Sequence, residues 1–81
     1  MHFKIKELSV KEIVLFSEML KKYSCEALLF NDKYRIDAKS ILGILSALEQ
    51  KALNLEINEL EPELYEEFTN DLVPFLNQNN N

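Results

Sequence analysis

Several things are scarce in this 81-residue chain. There is one glycine, there are two prolines, and tryptophan is absent. Cys25 is the single cysteine and His2 the single histidine. One cysteine cannot close a disulfide within these residues, and it fits a reducing cytosol, so a cytoplasmic location is expected. One histidine and one cysteine also exclude a His/Cys zinc cage, and no metal or cofactor is expected. No apolar run exceeds the four residues of Ile13 to Phe16, far short of a membrane span, and no signal peptide is expected. No phosphate-cradling P-loop, dinucleotide G-x-G-x-x-G or zinc-protease H-E-x-x-H motif occurs. With so small a core there is little room for a deep, dry active site, and no enzymatic activity is expected.

Basic residues are missing from the last third. Residues 52–81 hold seven acids and no lysine or arginine, whereas residues 1–51 hold all nine bases and seven acids. The formal net charge of −5 argues against nucleic-acid binding, which requires cations against the phosphates. The acidic tail reads as a solvated helix face. No acid in it has a nucleophile or base at a useful spacing.

Apolar residues make up 47% of the chain, and their spacing is informative. Phe3 and Ile5 alternate with Lys4 and Lys6, so residues 2–8 read as a half-buried strand. Ser9-Val10-Lys11-Glu12 matches the S-x-x-E capping box and predicts a helix from Val10 to about Tyr23. On that helix Val10, Ile13, Val14, Phe16 and Leu20 share the expected core face, with Ser17 inside it as a small contact residue. Leu15 and Met19 fall off that face and are expected to be exposed.

Residues 26–30 and 33–37 read as two further strands. Asn31-Asp32 between them suits a two-residue turn, which sets Leu29 opposite Tyr34 and Ala27 opposite Ile36. Ala27, Leu29, Tyr34 and Ile36 then share the covered face. Leu28 and Phe30 fall on the other face, beside the stems of Lys33 and Arg35, and open the possibility of a sheet-mediated dimer. Ser40 is expected to cap a short helix from Ile41 to about Leu48. Residues 52–58 alternate again as a fourth strand. Pro62 suits the first turn of a last helix striped by Leu64, Phe68, Leu72, Phe75 and Leu76, and Pro74 should kink or fray its end. Cys25 is expected to be a small buried or half-buried residue.

The expected order is β-α-β-β-α-β-α: an α+β, two-layer open-faced β-sandwich in which a four-stranded antiparallel sheet carries three helices on one face. Residues 1–77 form one domain and residues 78–81 a frayed polar tail.

One segment resembles a known family. Residues 36–48, IDAKSILGILSAL, are similar to the regulatory-serine segment of HPr, the histidine-containing phosphocarrier of the bacterial sugar phosphotransferase system, whose pattern runs roughly V-N-L-K-S-I-M-G-V-M-S-L. Lys39, Ser40, Ile41, Gly43 and Ser46 match in type, and Leu42, Ile44 and Leu45 conservatively. The likeness runs on to Ile57 and, with one small length change near the first hairpin, covers nearly the whole chain. It implies the open-faced sandwich above. It also implies a regulatory phosphosite at Ser40 and a partner-binding surface of Lys39, Ile41, Leu42 and Leu45, to which the apolar pair Leu15 and Met19 is added.

The departure from the pattern is at the first helix. The family has G-x-H-A-R-P there; this chain has Glu7-Leu8-Ser9-Val10-Lys11-Glu12. Ser9 takes the place of the phosphorylated histidine, Lys11 that of the arginine and Glu12 that of the proline. A serine hydroxyl without a base is a poor nucleophile, and its phosphoester is too stable to pass on. His2, at the far end of the first strand, is no substitute.

The expectation is therefore an HPr-related regulatory module without histidine phosphocarrier activity. Its expected partner is a protein: a transcriptional regulator, a kinase or a phosphotransferase component. Its own state is expected to be a monomer or weak homodimer. The alternatives are an HPr-fold interaction domain unrelated to sugar uptake, or a non-standard phosphocarrier.

Overall fold

A computed structural model describes residues 1–33, 35–40 and 53–77. Four strands, β1 (His2–Ile5), β2 (Glu26–Phe30), β3 (Arg35–Asp37) and β4 (Leu53–Asn58), form one sheet in the order β1-β4-β2-β3. Every neighbouring pair is antiparallel. Helix α1 (Val10–Lys21) follows β1, and helix α2 (Tyr65–Leu72) follows β4 between two 3-10 turns, Pro62–Leu64 and Val73–Phe75. The architecture is α+β with an open four-stranded antiparallel sheet. The expected helix at Ile41 to Leu48 lies outside the described residues, so two of the three expected helices are described.

Alternation decides which sheet face is covered. Ile5, Ala27, Leu29, Leu55 and Ile57 are buried, and Phe3, Ile36 and Leu53 pack against the same core. Phe16, Leu20, Phe68 and Leu72, from the two helices, complete it without measurable exposure. Three aromatic contacts join the layers: Phe3 with Phe68, Tyr23 with Phe68, and Phe16 with Phe75, at 6.1, 5.1 and 5.1 Å between ring centres. The chain after α2 returns to the sheet edge. Lys6 N–H donates to Phe75 O and Asn77 N–H to Lys4 O, both at 3.0 Å. Leu76 bridges Ile5 there, which covers the outer side of β1. Pro74 sits in the closing 3-10 turn, as expected of a proline that ends α-helical bonding.

Three expectations need correction. First, Leu28, Leu29 and Phe30 pair with Asp37, Ile36 and Arg35, two residues away from the register of a two-residue turn. The connection spans residues 31–34, because Asn31 Oδ1 accepts the Lys33 N–H at 2.8 Å and builds a wider side-chain-braced turn. No residue of it among those described takes a positive φ, which a tight type I′ turn requires at both central positions. A slip of two keeps the described residues of both strands on their expected faces.

Second, the buried arc of α1 is rotated. Ile13, Phe16, Ser17, Met19 and Leu20 are buried, whereas Val10 is 58% and Val14 36% exposed. The rings of Phe16 and Tyr23 meet Phe75 and Phe68, so the C-terminal segment draws α1 towards the Met19–Tyr23 side and away from Val14. Third, α1 ends at Lys21 and not at Tyr23. The Lys22 and Tyr23 N–H groups bond three residues back, to Met19 O and Leu20 O, which tightens the last turn.

Candidate functional site: the head of α1 and the Ser40 turn

Ser9 heads α1 with extended backbone (φ −71°, ψ 166°). Its Oγ accepts the Glu12 N–H at 3.1 Å, and its own N–H donates to Glu12 Oε1 at 3.0 Å. Both arms of the capping box are thus closed. The second Glu12 oxygen holds Lys6 Nζ at 2.7 Å. The Lys6 hydrogen bond, followed by the Ser9 N–H, lowers the Glu12 carboxyl from its ordinary 4.5 to about 2. The positive end of α1 therefore already carries an anion of its own. A carboxylate this acidic is no general base for the Ser9 hydroxyl.

His2 is elsewhere. It opens β1, with Nε2 3.7 Å from Glu56 Oε1 and its ring edge-on to Phe30 at 5.9 Å. The strand carries it about 10 Å from Ile5, the residue nearest the α1 head.

The segment before Ser40 is a braced turn. Asp37 Oδ1 accepts the Lys39 N–H at 2.8 Å, and Asp37 O accepts the Ser40 N–H at 3.0 Å. Ala38, fully buried, donates to Ala27 O and so extends the β2 ladder. Two bonds tie the turn to α1 and to the residues just past its end: Ser17 Oγ donates to Lys39 O at 3.1 Å, and Lys39 Nζ donates to Tyr23 O at 2.7 Å. Ser17 is fully buried, and this bond satisfies its hydroxyl. Ser17 lies eight residues after Ser9, about 12 Å down the helix. Ser9 and the Ser40 turn thus meet α1 at separate levels. Ser40 itself is half-buried.

Of the remaining expected surface residues, Ile41, Leu42 and Leu45 lie outside the described residues, as does the helix that Ser40 was expected to cap. Leu15 is 49% exposed, as expected. Met19 is not: at 8% exposure it belongs to the core, which removes it from any docking pair with Leu15. Val10 and Val14 are the apolar side chains that α1 exposes beside Leu15.

A polar cluster went unforeseen. Tyr23 Oη donates to Asp71 Oδ2 at 2.6 Å, and Lys22 Nζ donates to the same oxygen at 2.9 Å. Burial first, and the Asp71 carboxylate second, push the Tyr23 phenol upward. The Tyr23 and Lys22 bonds in turn hold Asp71 below its ordinary range. No local spacing announces a pair 48 residues apart. Cys25 is half-buried, and burial raises its thiol pKa against the opposing charge of Lys39. Among the described residues no group of three or more His, Cys, Asp or Glu is placed to hold a metal, and no helix is long and apolar enough to cross a membrane.

No family model and no curated protein matches the chain. A solved structure does: HPr-C-His from Thermoanaerobacter tengcongensis, with a TM-score of 0.64 and 24% identity over 91% of this chain and 88% of that one. This likeness shows the fold. The chain has an HPr-like fold, as the similarity around Ser40 implied.

Proposed function

We propose that this chain is an HPr-related regulatory module that binds a protein partner through the Ser40 segment and carries no phosphoryl group on histidine. The observation that carries this is the closed capping box at Ser9. The hydroxyl at the head of α1 is engaged by Glu12, and Glu12 is ionised at any pH well above about 2. A phosphoryl donor approaching Ser9 meets that negative charge and finds no base. Ser40 differs: it follows a turn braced by Asp37 and tied to α1 through Lys39, a rigid mount for a phosphorylated or partner-bound residue. Lys39, Ile41, Leu42 and Leu45, with Leu15 from α1, form the proposed contact surface. The proposed setting is the cytosol, and the protein is not itself an enzyme.

Two incubations test this. With phosphoenolpyruvate and enzyme I of the phosphotransferase system, no acid-labile phosphate should form; its appearance overturns the loss of carrier activity. With the serine kinase of that system, mass spectrometry should find phosphate on Ser40. Its absence, joined to a calorimetric titration in which neither form binds a partner, favours an HPr-fold interaction domain unrelated to sugar uptake.

A further inference from the structure

The sheet face turned away from the described helices has its own pattern. Pairing aligns its side chains in rows across all four strands. One row is His2, Glu56, Leu28 and Asp37; the next is Lys4, Asn54, Phe30 and Arg35. The first row bears two carboxylates and the second two cations. Each row has one apolar side chain, both on β2, and both Leu28 and Phe30 are half-buried. Within one copy Arg35 lies over the Phe30 ring at 5.9 Å and stands 3.9 Å from Glu56 Oε2, which accepts from Asn58 Nδ2 at 2.7 Å.

We infer that this face pairs weakly with the same face of a second copy. Consider a two-fold axis lying between the sheets, perpendicular to the strands and running between these two rows. It sets each row over the other row of the partner, strand by strand. Phe30 of one copy then lies over Leu28 of the other. Arg35 lies over Asp37, Asn54 over Glu56, and Lys4 over His2 beside Glu56. An isologous interface requires this self-complementarity, and the strands stay aligned as in stacked sheets. The reverse choice, an axis along the strands, sets Lys4 over Arg35 and is repulsive. The pattern thus selects both the occupant and its orientation. Four strands by two rows cover about 260 Å² per copy from ordinary strand spacings, well below the roughly 800 Å² of a stable interface, so association is weak.

Charge reversal provides the test. Sedimentation equilibrium up to about 1 mM protein should show reversible dimerisation of the wild-type chain, in the range expected of a small interface. Lys4→Glu alone sets a carboxylate against the Glu56 carboxylate of the facing copy. Glu56→Lys alone sets an ammonium against the Lys4 ammonium of the facing copy. Each should weaken self-association several-fold. Mixing the two variants restores opposite charges at every contact and should recover wild-type association. Far-UV circular dichroism checks that both variants fold. An independent readout needs no variant: in a concentration series of amide NMR spectra, shifts should concentrate at His2, Lys4, Leu28, Phe30, Arg35, Asp37 and Glu56. A wild-type monomer at all concentrations, no recovery on mixing, or shifts confined to α1 and the Ser40 turn would each overturn the proposal. The last of these outcomes would point to self-association through another surface.

Discussion

The Lys39 ammonium donates to the Tyr23 carbonyl across 2.7 Å, so the cation next to Ser40 is bonded two residues past the end of α1. That carbonyl lies where the helix dipole is negative, and a cation there is favoured. Lys39→Met keeps the length of the side chain and removes the charge. It should lower stability by about 1.5–3 kcal/mol, the range for a hydrogen bond to a charged donor. Urea denaturation of both proteins measures the difference. Lys39→Arg should recover only part of it, since a planar guanidinium does not reproduce a point donor.

The capping box makes a second prediction. Ser9→Ala removes the oxygen that accepts the Glu12 N–H and should cost about 1 kcal/mol, whereas Ser9→Asp keeps an acceptor and should cost less. Equal losses in the two variants, measured by thermal or urea unfolding, would contradict the geometry at Ser9.

Acid titration separates the Glu12 carboxylate from its neighbours. Its folded value, about 2, lies below its ordinary 4.5. Its contribution to stability is therefore present above pH 4.5 and is lost as the pH falls through about 2. Carboxyl-carbon NMR should show Glu12 titrating near 2, well below its ordinary 4.5. Lys6→Ala removes the largest cause, so it should move Glu12 upward and flatten the dependence of Tm on pH in that window.

Glu59, just after β4, is the one non-glycine residue among those described with a positive φ, 66°. A side chain with a Cβ is strained there. Glu59→Gly should stabilise the fold by about 0.5–1 kcal/mol, the relief of strain exceeding the added freedom of the unfolded chain. A destabilised variant would show that the Glu59 side chain makes a contact worth more than its strain.

What the sequence made legible was local. Alternation at Phe3–Lys6 and Leu53–Asn58 marked the sheet faces, S-x-x-E marked the head of α1, and Pro62 and Pro74 marked the ends of the last helical segment, because each signal lies within a few residues. The side-chain brace of Asn31 also lies within a few residues, yet Asn-Asp is equally at home in a two-residue turn, so the hairpin register was read two residues away from the one observed. The bonds of Ser17 to Lys39 and of Tyr23 to Asp71 span 22 and 48 residues and leave no local trace. The cap at Ser9 was legible from its spacing, and the proposed role of Ser40 rests on the resemblance. The tie from Ser40's turn to α1 needed the tertiary arrangement.

The rotation of α1 is the sharpest case, since Val14 and Met19 flank the arc of Ile13, Phe16, Ser17 and Leu20 on opposite sides, and counting Val10 as core favoured Val14. Packing against the aromatic residues of the C-terminal segment decides between them. Met19→Ala should then cost about 2–3 kcal/mol, the lower part of the range for emptying a core site, while Leu15→Ala, four residues earlier and exposed, should cost less than about 0.5 kcal/mol. Val14→Ala should behave like Leu15→Ala. Urea unfolding of the three single variants measures this ordering. A Val14 variant that loses more stability than the Met19 variant would turn α1 back by about a sixth of a circle and place its buried arc where simple periodicity puts it.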